Sequence, residues 1–163
     1  LTTSRSEYQS KTILLAIGRR GTPRKLNIIG EELTKVVYRL KDPQQYFNED
    51  ILIVGGGNSA IEAACTIAEL GKCNVIISYR NESFDRAKVK NREQIANLAS
   101  LGKLTVYMSS TVEYISPTQV CLMYQKERCV INNTVVIICA GGELPTPFLK
   151  RVGIDVSTKY GSA

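Results

Sequence analysis

The sequence predicts an α/β fold of three layers, in which a parallel sheet is flanked by helices and accompanied by a small antiparallel β-meander. Two observations lead to this fold class. In the first part of the chain, short apolar runs bounded by turn residues alternate with stretches of helical periodicity, as in parallel sheets with crossover helices. In the second part, shorter and partly alternating runs follow one another, with turn residues between them.

The first elements are predicted from apolar runs. KTILLAI at residues 11–17 ends at Gly18 and predicts a buried strand. Residues 36–38 and 50–54 are predicted as further strands, joined by a connector with an Asp-Pro turn signal and room for one helical turn. The run DILIV at 50–54 is apolar after its first residue, as expected for a strand that is buried on both faces.

A helix is predicted over residues 58–70, because apolar side chains recur there at spacings of three and four. These side chains are Ile61, Ala64, Cys65 and Ala68. Gly71 suits the left-handed turn that ends many helices, and residues 74–79 are predicted as the next strand. Strand, helix and strand together make a βαβ unit with parallel strands.

The later elements follow from the same signals. We predict a helix at 92–101, a strand at 104–108, a meander of three strands at 111–115, 119–124 and 128–131, a buried strand at 134–139 and a short helix at 145–152.

Composition narrows the class of protein. The net charge of +6 mildly favours anionic partners, and a small phosphorylated ligand fits it as well as a nucleic acid does. Because the few aromatic residues are not interleaved with the basic ones, we expect no nucleic-acid partner. No apolar run approaches the roughly 18 residues of a membrane helix. The five cysteines are odd in number, lie mostly in apolar runs and form no Cys-x-x-Cys, and histidine is absent. We therefore expect free thiols, a reducing cytoplasmic setting and no metal site.

A glycine-rich loop joins the strand at 50–54 to the helix that follows it. Gly55, Gly57 and Ala60 match the pattern G-x-G-x-x-[G/A] in this strand-to-helix context. Gly55 permits the tight turn, Gly57 lets the backbone approach a pyrophosphate, and Ala60 lets helix and strand pack closely. Asn58 and Ser59 are expected to cap the helix or to add side-chain donors to the backbone N–H groups that face the phosphates. The pattern therefore predicts a Rossmann-like dinucleotide-binding unit.

The end of the second strand indicates which dinucleotide binds. NAD-binding units place an acidic residue about twenty positions after the loop, on the ribose 2′-OH. In this chain that count leads from Ala60 to Arg80, and a guanidinium suits a 2′-phosphate instead. The basic residues of this segment are Arg80, Arg86, Lys88, Lys90 and Arg92. We predict NADP(H), while Glu82 leaves NAD(H) open because its carboxylate could turn towards the ribose.

Four segments, in order and spacing, resemble the nicotinamide-nucleotide domain of thioredoxin-reductase-like flavoproteins, which are FAD-dependent pyridine nucleotide-disulfide oxidoreductases. They are ILLAIGRRGTP, ILIVGGGNSAIEAACTIAELG, VIISYRNESFDRAK and VVIICAGGELPTPFL. The resemblance spans residues 11–153 and implies that Ala16–Gly18 and Ala140–Gly142 end the two strands that meet the flavin domain. It also implies a 2′-phosphate site at Arg80 and Arg86, which Asn81 weakens by replacing a second arginine.

The set predicted to bind the cofactor combines both lines of reasoning. Its members are Gly55, Gly56, Gly57, Asn58, Ser59, Ala60, Glu62, Tyr79, Arg80, Arg86, Ala140, Gly141 and Gly142. No residue is predicted to be catalytic. We expect a tail or hinge at 1–10, the nucleotide-binding domain at 11–153 and a tail at 154–163.

Two departures from the family limit the predicted function. Residues 31–50 contain no cysteine, whereas thioredoxin reductases carry a redox-active Cys-x-x-Cys there, and the chain has one glycine-rich fingerprint where a complete flavoprotein has two. We therefore predict an NADP(H)-binding domain whose FAD is held by a domain outside this chain. The acceptor stays open, and the chain resembles ferredoxin–NADP reductases or low-molecular-weight disulfide reductases of this family more than thioredoxin reductases. The chain alone is expected to be inactive. A second copy of the chain, in a homodimer, is a further candidate partner.

The alternative function is a stand-alone module that binds NAD(P) or senses redox state without catalysis. Full NADPH affinity in this chain, with no flavin domain in its gene, would favour it. A short-chain dehydrogenase is disfavoured, because no tyrosine has a lysine four positions later.

Overall fold

The computed structural model describes residues 2, 4–14, 16 and 23–157. The chain divides into two compact units. The larger one spans Pro23–Gly142, and the smaller one comprises the described residues before and after that range, including a short helix at Thr146–Arg151. No helix in the described part of the chain is long and apolar enough to cross a lipid bilayer.

The larger unit contains eight strands and two α-helices among its residues, all of which the structure describes. In chain order the elements are β1 (Val36–Val37), a 3₁₀ turn (Pro43–Tyr46), β2 (Asp50–Val54), α1 (Asn58–Glu69), β3 (Asn74–Ser78), α2 (Val89–Ser100), β4 (Thr105–Tyr107), β5 (Ser110–Ile115), β6 (Gln119–Tyr124), β7 (Glu127–Asn132) and β8 (Val135–Ile138).

Five of these strands form a parallel sheet in the order β1-β8-β2-β3-β4. The chain passes from β2 through α1 to β3 on one side, while β8 lies on the other side of β2. The strand order therefore reverses at β2. In open α/β sheets such a switch point leaves a crevice at the carboxyl ends of the strands, where ligands bind.

The two helices of this unit pack against one face of the parallel sheet. Ile61 and Ala64 of α1 and Ile95 of α2 are buried in one cluster with Ile53 and Ile77 of the sheet. This cluster holds most of the buried apolar side chains of the unit. The helical spacing in the sequence thus marks the face of α1 that is removed from water.

The antiparallel strands β5, β6 and β7 cover the opposite face of the parallel sheet. Leu52 and Val136 of the parallel sheet are buried in a second cluster with Val120 and Leu122 of the meander. Successive residues of a strand point to opposite faces, so β2 contributes to both clusters. Three layers result, and the predicted fold class is confirmed.

One predicted strand is not observed. The apolar run at 11–17 was expected to form a buried strand, but its described residues, 11–14 and 16, lie in no strand. Leu14 is 92% exposed and Ile13 is 55% exposed. An apolar run becomes a strand only where a neighbour accepts its backbone hydrogen bonds, and these five residues have no ladder partner among the residues that the structure describes. Residues 15, 17 and 18 lie outside the described residues.

The second helix begins earlier than the sequence predicts. It was expected at 92–101, whereas α2 spans Val89–Ser100. Lys88 precedes it with an extended backbone, φ −59° and ψ 146°. The shift matters because it adds Asn91 to the helix, on the same buried face as Ile95 and Leu98.

Candidate functional site

The predicted site residues meet at one edge of the parallel sheet. Val54, the last residue of β2, lies opposite Ser78 of β3 and Ile138 of β8. Because these three strands are parallel and end in register, the segments that follow them leave the sheet side by side. The glycine loop, Tyr79 with Arg80, and the segment 139–142 therefore border the same crevice.

The first glycine of the loop is required by both its conformation and its surroundings. Gly55 has φ +144°, in a region that L side chains rarely adopt. A methyl group there would lie 2.5 Å from the carbonyl oxygen of Cys139. The backbone N–H of Gly55 donates to the carbonyl oxygen of Ser78 at 3.0 Å. Gly55 is therefore bonded to the end of β3 and lies against the backbone that follows β8, where only glycine fits the turn.

The second glycine lies against an aromatic ring. A methyl group at Gly56 would overlap three ring atoms of Tyr79. Tyr79 is 8% exposed, and its ring stacks on Phe84 with centroids 5.5 Å apart. The side chain of Tyr79, which was predicted to bind the cofactor, therefore lies behind the loop and supports it.

The third glycine faces open space at the start of α1. Gly57 is the N-cap of this helix with φ −91° and ψ 177°, and a methyl group there would meet nothing within 4 Å. Within the described residues, the N–H groups of Gly57, Asn58 and Ser59 donate to no protein acceptor. These free N–H groups at a helix N-terminus can donate hydrogen bonds to a phosphate.

Asn58 and Ser59 do not cap α1, because the helix has no side-chain cap. Of the two roles expected for them, capping is therefore wrong. Ser59 is exposed and remains a potential donor. The Oδ1 atom of Asn58 instead accepts the backbone N–H of Lys88 at 2.8 Å and the Nδ2 of Asn91 at 3.1 Å. These two contacts link the first residue of α1 to α2 and to the residue that precedes it.

Asn91 is a residue of the site region that the sequence analysis missed. It is buried, and its Nδ2 also donates to Oε1 of Glu62 at 2.9 Å. The available signal was a polar residue in register with Ile95 and Leu98, at i, i+4 and i+7 on a helix. The predicted start at residue 92 left Asn91 outside that register.

The segment after β3 presents unpaired positive charge to solvent. Arg80, Arg86 and Lys88 are exposed, and the recorded ion pair of the described residues, Arg128 with Glu113, involves none of them. Asn81 donates its Nδ2 to the Tyr79 hydroxyl at 3.1 Å, while Glu82 is exposed. The basic side chains can therefore attract an anion in the crevice beside the glycine loop.

The segment after β8 borders the crevice on its other side. Ala140 is partly buried, whereas Gly141, with φ +91°, and Gly142 are exposed. The backbone N–H of Arg24 donates to the carbonyl oxygen of Gly141 at 3.0 Å and holds this segment. Of the other strand end expected to meet a flavin domain, Ile17 and Gly18 lie outside the described residues.

Two cysteines, the buried Cys65 and the half-buried Cys139, are expected to make folding sensitive to alkaline pH. Burial raises the pKa of the Cys65 thiol and of the Cys139 thiol from 9.0 to about 11. Because the folded pKa lies above the unfolded one, the stabilisation is complete below about pH 9 and is lost as the pH rises to about 11. We expect the free energy of unfolding to fall over this range. Denaturant titrations should show a shallower fall for the Cys65→Ala/Cys139→Ala variant, and equal slopes would contradict the assignment.

The fold and the glycine loop place this protein in the Rossmann-like class of α/β proteins. Residues 1–161 match the pyridine nucleotide-disulphide oxidoreductase family, and the chain belongs to that family. The family resemblance predicted from the four sequence segments is thereby confirmed.

Two curated relatives are similar along almost the whole chain. Ferredoxin–NADP reductase of Ignicoccus hospitalis is 37% identical over 161 residues, covering 97% of this chain and 52% of that protein. Bacilliredoxin reductase Bdr of Bacillus subtilis is 27% identical over 161 residues, covering 98% of this chain and 49% of that protein. The chain therefore spans about half the length of these curated relatives.

Solved structures of reductases are also similar to this chain over less than half of their own length. Bacillithiol disulfide reductase Bdr (YpdA) from Staphylococcus aureus matches with a TM-score of 0.77 at 29% identity, over 83% of this chain and 42% of that chain. Thioredoxin reductase from T. acidophilum shares the fold, with a TM-score of 0.71 at 22% identity, over 83% of this chain and 46% of that chain.

Proposed function

We propose that this chain is the NADP(H)-binding domain of an FAD-dependent oxidoreductase, and that it presents NADPH to a flavin held by a domain outside the chain. When bound, the nicotinamide supplies the hydride that reduces the flavin. The residues of this chain bind and orient the cofactor. We assign none of them a catalytic role.

The observation that carries the proposal is the meeting of three segments at the carboxyl edge of the sheet. The glycine loop offers free N–H groups, the segment with Arg80 offers unpaired positive charge, and Ala140–Gly142 lies across the crevice. Membership of the family and the match to about half of each relative support a role as one domain of a larger flavoprotein.

The residues present fit a phosphorylated dinucleotide. The open space in front of Gly57 is of the kind that a pyrophosphate needs to reach the N–H groups of Gly57, Asn58 and Ser59. Arg80 and Arg86 would hold the 2′-phosphate, because guanidinium groups form charge-assisted hydrogen bonds with phosphate oxygens.

We further propose a ferredoxin or a low-molecular-weight disulfide as the class of electron acceptor. Relatives named ferredoxin–NADP reductase and bacillithiol disulfide reductase support this class. Residues 31–50 lack the Cys-x-x-Cys of thioredoxin reductases, and the five cysteines of the chain are free, which suits the reducing cytoplasm that we propose as its setting. The homodimer stays a prediction.

Calorimetry with NADPH and NADH tests the proposed cofactor. We expect NADH to bind the wild type at least about ten-fold more weakly, a difference of about 1.4 kcal/mol. Arg80→Ala should weaken NADPH binding by about 1–3 kcal/mol, the cost of losing a partner of a charged group, and leave NADH nearly unchanged. Lys103→Ala removes the same charge near the amino end of β4, at the opposite edge of the sheet, and should change neither affinity.

Two results of this experiment would contradict the proposal. Equal affinities of the wild type for NADPH and NADH would remove the role of Arg80. A flavin absorbance band in the purified chain would show that the flavin is held here and not by another domain.

A further inference from the structure

Asn91 is a polar residue buried on the apolar face of α2, and the helix itself does not need an amide at this position. It is 6% exposed and occupies the face of α2 that otherwise buries Ile95 and Leu98. A buried amide costs free energy unless it is hydrogen-bonded. Its Nδ2 donates to two residues of α1, Asn58 at 3.1 Å and Glu62 at 2.9 Å. Asn91 thereby fixes the side chain of the first residue of α1.

Asn58 in turn binds the backbone of Lys88, the residue that precedes α2. Its Oδ1 accepts the backbone N–H of Lys88 at 2.8 Å, and α2 has no cap from the side chain of Lys88 itself. The backbone at Lys88 is thus attached to a residue that also belongs to the glycine loop. Asn91 orients the acceptor that makes this attachment.

The basic segment 80–88 is consequently held at both ends by the glycine loop. At its start, the ring of Tyr79 lies against Gly56, and the Tyr79 N–H donates to the carbonyl oxygen of Tyr107 at 2.9 Å. At its end, Lys88 is bonded to Asn58. Between them, Phe84 and Ala87 are buried. The backbone that carries Arg80 and Arg86 is therefore held beside the loop, while the two exposed side chains extend from it.

We propose that Asn91 is a positioning residue that determines selectivity for the 2′-phosphate of NADP(H), an inference that rests on the proposed function. The pyrophosphate and the 2′-phosphate belong to one molecule, so the two protein sites must keep a matching separation. Through Asn58, Asn91 sets that separation at the end of the segment that carries Arg86 and Lys88. NADH, which lacks the 2′-phosphate, does not use this end of the segment.

Replacing the amide with an apolar side chain of the same branching tests this role. We expect Asn91→Leu to lower NADPH affinity by about ten-fold, within the range of coupled neighbouring residues, and to change NADH affinity by less than about two-fold. A residue that served only the helix contact would lower the melting temperature and leave the ratio of the two affinities unchanged. Calorimetry and thermal unfolding on the same samples measure both quantities.

The chain offers a control contact further from the loop, about one turn along α2 and about two turns along α1, at an exposed position. Gln94 of α2 donates its Nε2 to Oε1 of Glu69 on α1 at 2.7 Å, the same type of contact but away from the loop. Gln94→Leu should leave both affinities unchanged. If Asn91→Leu does not fold, Asn91→Ala, which lets water reach Asn58 and Glu62, is measured with the same expectation.

A double variant tests the path of the effect. If Asn91 acts by placing Arg86, the NADPH losses of Arg86→Ala and Asn91→Leu will not add in the combined variant. Additive losses, or an unchanged NADPH-to-NADH ratio in Asn91→Leu, would overturn the inference while leaving the proposed function intact. A wild type without preference for NADPH would overturn both.

Discussion

A Gly57→Ala variant is expected to remain folded and to lose most of its affinity for NADPH and NADH alike. The backbone of Gly57, at φ −91° and ψ 177°, is open to any residue, and the added methyl group meets no protein atom within 4 Å. That open space lies beside the free N–H groups, where the pyrophosphate is proposed to bind. Alanine is a poorer N-cap than glycine, so we expect a loss of no more than about 1 kcal/mol in the free energy of unfolding.

Gly57→Ser separates binding from stability at the same position. Serine is among the preferred N-cap residues, so this variant should unfold at the wild-type temperature or above it. Its side chain still fills the space in front of the loop, and both dinucleotides should again bind weakly. Calorimetry and thermal unfolding measure the two effects. Wild-type NADPH affinity in either variant would show that the loop does not bind the pyrophosphate.

Local patterns in the sequence predict the larger unit well because its elements follow simple rules. The run at 50–54 and the spacing of Ile61, Ala64 and Ala68 carry the strand and helix periods directly, and both elements occur at Asp50–Val54 and Asn58–Glu69. Because β2, β3 and β8 are parallel and in register, the segments that contain Gly55, Arg80 and Gly141 all follow the carboxyl ends of these strands. Elements that bury one face against the sheet are therefore predictable from sequence.

Contacts between distant residues are not predictable in this way. Asn58 and Asn91 are 33 positions apart, and nothing in either local pattern specifies the other as a partner. The meander was predicted, but its position over Leu52 and Val136 depends on which face the helices leave free. The exposed run at 11–14 shows the converse, because apolar character indicates a tendency to be buried without supplying the partner that buries it.

Gly56→Ala is expected to lower the free energy of unfolding markedly, and a second substitution at Tyr79 should restore part of the loss. The added methyl group overlaps the ring of Tyr79, which cannot move away because it is buried and stacked on Phe84. Overpacking of this kind costs about 1–3 kcal/mol. Denaturant unfolding should show that loss, whereas Gly57→Ala, one residue further along, should show little.

Removing the obstacle should restore stability if the ring is the cause. In Gly56→Ala/Tyr79→Leu, the smaller side chain frees the space, so the combined loss should be less than the sum of the two single losses by about 0.5–3 kcal/mol. Gly55→Ala is the matched control. Its methyl group meets the Cys139 backbone carbonyl, and its φ is positive, so Tyr79→Leu should give no rescue there. Additivity for Gly56 would contradict the role of Tyr79 as the support of the loop. Rescue of Gly56 but not of Gly55 would show that the three consecutive glycines serve separate physical requirements, with a ring behind the second and a backbone behind the first.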